Sequence, residues 1–243
     1  MKAIFVRRVA GFLRVDFTAC CCWCLMTSAS LAVEPDWVPL FNGKDTTGWT
    51  ATLRPPKDKP QDKPDPADTW TVHDGALCCT GKPTGYLATE KSYENYELKL
   101  KWRYAKGTTD GKSGILLHLG VEDSVWPESI EAQLNTGAAG DIWLNPNSRK
   151  ELPKITIPAV QKDTANAAGR HYLRLETGRT PEKKHGEWNE YSIVCDGGKI
   201  TLTINEIVVN QASGCSLVKG RIGLQSEGTP VEFREIHLKV LAK

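Results

Sequence analysis

From Tyr96 to Tyr104 the chain alternates without a break between large apolar and charged side chains, Tyr-Glu-Leu-Lys-Leu-Lys-Trp-Arg-Tyr. Successive side chains of an extended strand point to opposite faces. This spacing therefore puts Tyr96, Leu98, Leu100, Trp102 and Tyr104 on one face and the four charges on the other. A helix would scatter the same residues around its circumference. The segment predicts a half-buried strand, and such a strand needs neighbours and a second layer to cover its apolar face.

Shorter candidates of the same kind surround it. Ser113 to Leu119, Ser129 to Leu134, Tyr191 to Cys195, Lys199 to Ile204, Ile207 to Asn210, Arg221 to Gln225 and Val231 to Val240 read as strands separated by Gly, Asp, Asn and Pro. Asp196-Gly197-Gly198 is set up for a tight hairpin. With few helical periods and no βαβ alternation, the pattern predicts an all-β protein, one antiparallel β-sandwich of jelly-roll type in a single domain. At 243 residues the chain can bury a substantial core without a disulfide or a metal. Two stretches break the rhythm. Arg54 to Pro66 is rich in Pro and charge and reads as a surface loop between flanks of one sheet system. Asn145 to Arg170 is long and weakly patterned, the character of a segment that rims a cleft.

The first 32 residues differ from the rest. Lys2, Arg7, Arg8 and Arg14 precede a largely apolar run to Met26, and Ser30-Leu31-Ala32 closes it with small residues. That order is the order of a secretory signal peptide cleaved near Ala32, leaving 33–243 as the mature, secreted or periplasmic domain. The run falls short of the roughly 20 residues a spanning helix needs, so no stable membrane span is expected after processing. The whole chain carries 31 Lys+Arg against 29 Asp+Glu. Loss of four basic residues and one acidic residue with the leader brings the balance to 27 against 28. No basic stretch interleaved with aromatics occurs in the remainder, which argues against nucleic acid as a partner. Cys78, Cys79, Cys195 and Cys215 remain, either as buried free thiols or with one bridge between Cys195 and Cys215.

Several short motifs occur in one order along the mature chain: Leu40-Phe-Asn-Gly-Lys-Asp-Thr-Thr-Gly-Trp49, Trp70-Thr-Val-His-Asp-Gly-Ala-Leu77, Ser113-Gly-Ile115, Glu131-Ala-Gln133, Glu187-Trp-Asn-Glu190, and Gly223-Leu-Gln-Ser-Glu-Gly228 followed by Phe233-Arg-Glu-Ile236. Together they resemble the 3-keto-disaccharide hydrolase family, described also as 3-keto-glucoside 1,2-lyase/3-keto-2-hydroxy-glucal hydratase. The resemblance runs from about Val38 to Leu241. It implies a concanavalin A-like or laminin G-like jelly roll whose concave face takes a glycan or an oxidised disaccharide. The implied activity is cleavage of glycosides carrying a ketone at C3.

That chemistry sets the residue types to look for. A C3 ketone acidifies the C2 proton, so a positioned base can remove it while the C1 substituent departs, and water can add back. The site needs a base, a donor or metal at the developing enolate oxygen, and an acid for the leaving group. Glu131 and Gln133, at i and i+2 on a strand, share a face opposite Ile130, Ala132 and Leu134. Gln133 cannot supply the second carboxylate that an ordinary retaining glycosidase requires. His118 alternates with Leu117 and Leu119, projects with Leu116, and is a candidate base or metal ligand. Glu227 stands where the resemblance implies His, as an acid, ligand or hydrogen-bond partner. Asp141 and Trp143 alternate away from Ile142 and Leu144, and Trp143 could stack on a sugar. Trp126 is a second stacking candidate, whereas Trp49, Trp70 and Trp102 read as core. Lys184 could offer a cation to the enolate or leaving group. A divalent cation could join such a site, although no regular Asp-rich loop is present. The chain has no phosphate-binding Gly loop, nucleophile elbow or H-E-x-x-H. The alternative is a non-catalytic carbohydrate-binding module using the same face.

Overall fold

The computed structural model describes residues 36–242 apart from 121–123, 159–162, 167–168 and 173–180, with backbone only for 163–166 and 169–171. The predicted signal peptide lies outside the described residues. Among those described, sixteen strands, numbered in chain order, form two sheets. The first sheet runs β14 (Ile207–Ala212), β13 (Lys199–Ile204), β12 (Asn189–Asp196), β6 (Tyr96–Tyr104), β16 (Val231–Val240), β4 (Ala76–Cys79) and β3 (Trp70–His73), with β1 (Val38–Pro39) also paired to β16. The second runs β10 (Asp163–Asn166), β11 (Gly169–Tyr172), β9 (Ile142–Asn145), β8 (Ser129–Gln133), β7 (Gly114–Leu119), β15 (Arg221–Ser226), β5 (Gly85–Thr89) and β2 (Trp49–Leu53). Every pairing between these strands is antiparallel. The fold is the sandwich the alternation predicts.

The two sheets differ in how they are covered. β6 buries Tyr96, Leu98, Leu100, Trp102 and Tyr104 and leaves the charges between them half-buried on the outside. Those apolar side chains meet Ile115, Leu117, Ile130, Ala132, Ile142, Leu144, Ile222 and Leu224 of the second sheet in one core, which Trp49 and Trp70 also join. β5, β7 and β8 are instead buried at every residue, so the second sheet is covered on its outer face as well. On that outer face Tyr86, Ala88, Leu116 and Leu119 form a small apolar cluster. Polar residues buried beside it need a purpose other than solvation.

The segment Arg54 to Pro66 joins β2 in one sheet to β3 in the other, so its flanks belong to two sheets rather than one. Proline and charge suit that crossing, where beyond Arg54, whose N–H still donates to Thr84 O, the segment belongs to no strand. The weakly patterned stretch after Asn145 contains β10 and the start of β11 together with a bridge from Thr156 to Ser213, and so is partly sheet. At Asp196-Gly197-Gly198 both glycines have positive φ, 55° and 77°, the two-residue hairpin turn that matches strand twist. Cys78, Cys79, Cys195 and Cys215 are all free thiols.

Candidate active site on the outer face of the second sheet

Strand register brings the site together. Across β9, β8 and β7, Trp143 pairs with Glu131 and Glu131 with Leu116, while Asn145 pairs with Ser129. One step along, Gln133 pairs with Gly114, and Gln225 pairs with Tyr86. Because Leu224 pairs with Ile115, the same register sets Gln225 beside Gly114. Gln133, Gly114, Gln225 and Tyr86 thus form a row across four strands, with a position lacking a side chain between the two glutamines. Glu131 leans into that gap: a Cβ on Gly114 would stand 2.5 Å from Glu131 Oε1 and 2.7 Å from its Cγ.

A cleft of about 540 Å³ opens over this row, within the range of small-molecule sites. Glu131, Gln133, Gln225, Glu227, Trp143 and Asn145 line its inner part. Trp126 and the loop containing Asn147 and Lys150 line the remainder. Glu131 is only 3% exposed. Its Oε2 accepts a hydrogen bond from Asn145 Nδ2 at 3.1 Å, and its Oε1 has no partner. Burial is the main reason its carboxyl is pushed up to about 8; the Asn145 hydrogen bond pulls the other way and the charge of Glu227 adds to the rise. Asn145 also donates to Ser129 Oγ at 3.1 Å, and Ser129 donates to Pro127 O, so the amide is fixed on both sides. Gln133 Oε1 and Gln225 Oε1 are buried without partners too. Glu227 is half-buried, and its carboxyl is raised by desolvation against the opposing charge of Lys112.

The sequence-predicted residues divide accordingly. Glu131, Gln133, Glu227, Trp143 and Trp126 meet in the cleft. His118 does not project with Leu116. Strand β7 carries one extra residue against β15, since Leu119 pairs with Arg221 and Leu116 with Gly223, and His118 takes a φ of 53° at that bulge. The bulge turns the imidazole inward against Tyr96, with ring centroids 5.6 Å apart, and its Nδ1 lies 2.9 Å from Leu217 O. Burial lowers its pKa, which favours the neutral ring. Asp141 is buried just before β9 but does not line the cleft. Lys184 is exposed and lines a separate hollow with His185 and Glu182. Among the described residues, no group of three or more His, Cys, Asp or Glu is placed to hold a metal ion.

Sequence reading missed Gln225, Asn145 and Gly114 as site residues. Gln225 precedes Glu227 by two, the same spacing as Glu131 and Gln133, and that repeat was its available signal. Asn145 is tied to Glu131 only by the pairing of β8 with β9, which no local spacing reveals.

Comparison with known proteins adds to this geometry. A model of the 3-keto-alpha-glucoside-1,2-lyase-like domain matches residues 36–239. A 3-keto-disaccharide hydrolase of Bacteroides thetaiotaomicron is 24% identical over 257 residues, spanning 89% of this chain and 82% of the relative. Among solved structures, a candidate glycosyl hydrolase from Parabacteroides distasonis has a TM-score of 0.55 at 20% identity, over 85% of this chain and all of that one. The carbohydrate-binding module CBM66 from Bacillus subtilis has a TM-score of 0.53 at 12% identity, over 81% and 98% of the two chains. At these identities the solved structures speak for the fold.

Proposed function

We infer a function from one premise: the chain belongs to the 3-keto-alpha-glucoside-1,2-lyase-like family. The protein is an exported enzyme that cleaves 3-keto-glycosides by elimination across C1 and C2, with addition of water to the product as a second step. The observation that carries this reading is Glu131, a buried carboxyl with one oxygen held by Asn145 and the other without a partner, lining a cleft beside Trp143. Such a group fits a base, because desolvation raises its affinity for a proton.

In the reaction, the Glu131 carboxylate takes the C2 proton and the C–H electron pair moves into the C2–C3 bond, forming the C3 enolate. The enolate then re-forms the ketone, the C1–C2 double bond appears, and the C1–O bond breaks with its pair going to the leaving oxygen. Glu227, half-buried in the same cleft with its carboxyl raised by desolvation, supplies the proton for that oxygen. Addition of water at C1 and return of a proton to C2 gives the free 3-keto sugar. Trp143 provides an apolar face for the ring. The basic, apolar and small-residue order of residues 1–32 supports export.

The test is incubation with a 3-keto-glucoside in D₂O, followed by NMR. Wild type should release the sugar with deuterium at C2, and Glu131→Gln should lower turnover by about 10²- to 10⁴-fold, the range for a lost general base. Unchanged turnover in Glu131→Gln would overturn the assignment. Saturable binding without product, lost in Trp143→Ala, would favour a carbohydrate-binding module, a reading to which the two tryptophans lining the cleft also lend themselves.

A further inference from the structure

We propose that Gln225 donates the hydrogen bond that holds the substrate's ketone oxygen and stabilises it as it becomes an enolate. This role rests on the proposed elimination and adds a catalytic residue to it.

Gln225 is 1% exposed, yet it lines the cleft, and its Oε1 has no partner. A buried amide oxygen without a partner costs free energy unless something else completes it. Gln225 lines the cleft, so a ligand seated there can complete its amide. A carboxamide presents its oxygen and its NH₂ with nearly the same shape, so a half-turn sets the donor toward the cleft.

Its position relative to Glu131 gives the role. Gln133 and Gln225 stand on either side of Gly114, and the Glu131 carboxyl overlies that glycine. A carbon that surrenders its proton to Glu131 Oε1 therefore has one amide to each side. In a 3-keto-glycoside, the atoms flanking C2 are the ketone carbon C3 and the carbon C1 that carries the leaving group. A ketone oxygen bears partial negative charge and cannot bond to a carboxylate, so it belongs away from the strand that carries Glu131. Gln225 lies two strands from β8, about 10 Å at ordinary strand spacing, on the far side of the gap. As Glu131 gains the proton, the C2–H pair enters the C2–C3 bond and the carbonyl pair moves to oxygen, where the Gln225 NH₂ meets the new charge. No oxidant or reductant is required.

Two probes separate this role from simple ring binding. A 3-keto-1,5-anhydroglucitol has no glycosidic leaving group, so exchange of its C2 hydrogen with D₂O reports proton removal without glycoside cleavage; a 4-nitrophenyl 3-keto-glucoside reports elimination. Gln225→Met keeps the shape and loses the donor, and Gln225→Asn keeps a shorter donor. We expect Gln225→Met to slow C2 exchange and elimination together by about 10²- to 10³-fold, as for loss of one oxyanion donor. Gln225→Asn should recover part of both rates, with melting temperatures close to wild type. Wild-type exchange in Gln225→Met would overturn the role, and so would slowed elimination with normal exchange, which would place Gln225 at the leaving group. A wild-type protein that neither exchanges nor cleaves would overturn the underlying reading, and this role with it.

Discussion

A buried carboxyl gives up its proton less readily than an exposed one, and ionising Glu131, as its role as a base requires, comes at a cost to the folded state. Its ordinary pKa is 4.5, and in the fold it is about 8. Between those values the folded protein holds a proton that the unfolded chain has released, so this group's contribution to stability falls as pH rises through the window. Below about pH 4.5 the penalty is absent. Glu131→Gln removes the charge but keeps the Asn145 contact, so the variant should melt several degrees above wild type at pH 8 and close to it at pH 4.5. Melting followed by circular dichroism at both pH values checks this, and an equal difference at both would contradict it. The Glu131–Gln133 pair was legible in the sequence because period two is a local property of a strand. Asn145 and Gln225 were not, because they meet Glu131 only through register between strands distant in sequence. His118 was misplaced because one inserted residue reverses the face toward which the strand points from that position onward.

At the scale of the element, the bulge in β7 is held from outside by the approach of β15. A Cβ on Gly220 would lie 2.5 Å from the carbonyl carbon of His118 and 2.6 Å from Leu119 O, both backbone atoms. Gly220→Ala should therefore destabilise the protein by about 1–3 kcal/mol through overpacking. The measurement is a lower urea midpoint at unchanged slope, and an unmoved midpoint would show that the bulge is not clamped there. Elements with one wet face were readable to their ends, as with Tyr96–Tyr104, Lys199–Ile204 and Val231–Val240. Ala76–Cys79 and Gly85–Thr89 escaped because they are short and mostly buried on both faces, which erases the apolar–polar alternation.

Across the whole molecule the two sheets share one core but have unlike exteriors. The outer face of the first sheet is a lattice of paired charges, with Lys101 Nζ 2.5 Å from Glu235 and Arg103 2.7 Å from Glu232, and with the Trp188 ring within 4.4 Å of Arg103 and 4.2 Å of Arg234. The outer face of the second sheet carries the cleft. Trp102 lies in the shared core at 1% exposure, so Trp102→Ala should cost about 3–5 kcal/mol. If the two sheets unfold as one unit, tryptophan fluorescence and far-UV circular dichroism will move together in this variant; separate transitions would show that they do not.

The dent at Gly114 bears on how such a protein could change its trade. The methyl group of an alanine there would occupy the place of the Glu131 carboxyl and leave the tryptophans and amides of the cleft as they are. On the proposed reading, one carbon atom would divide a face that strips a proton from a sugar from a face that only grips it. The border between catalyst and lectin would then run through a residue with no side chain at all.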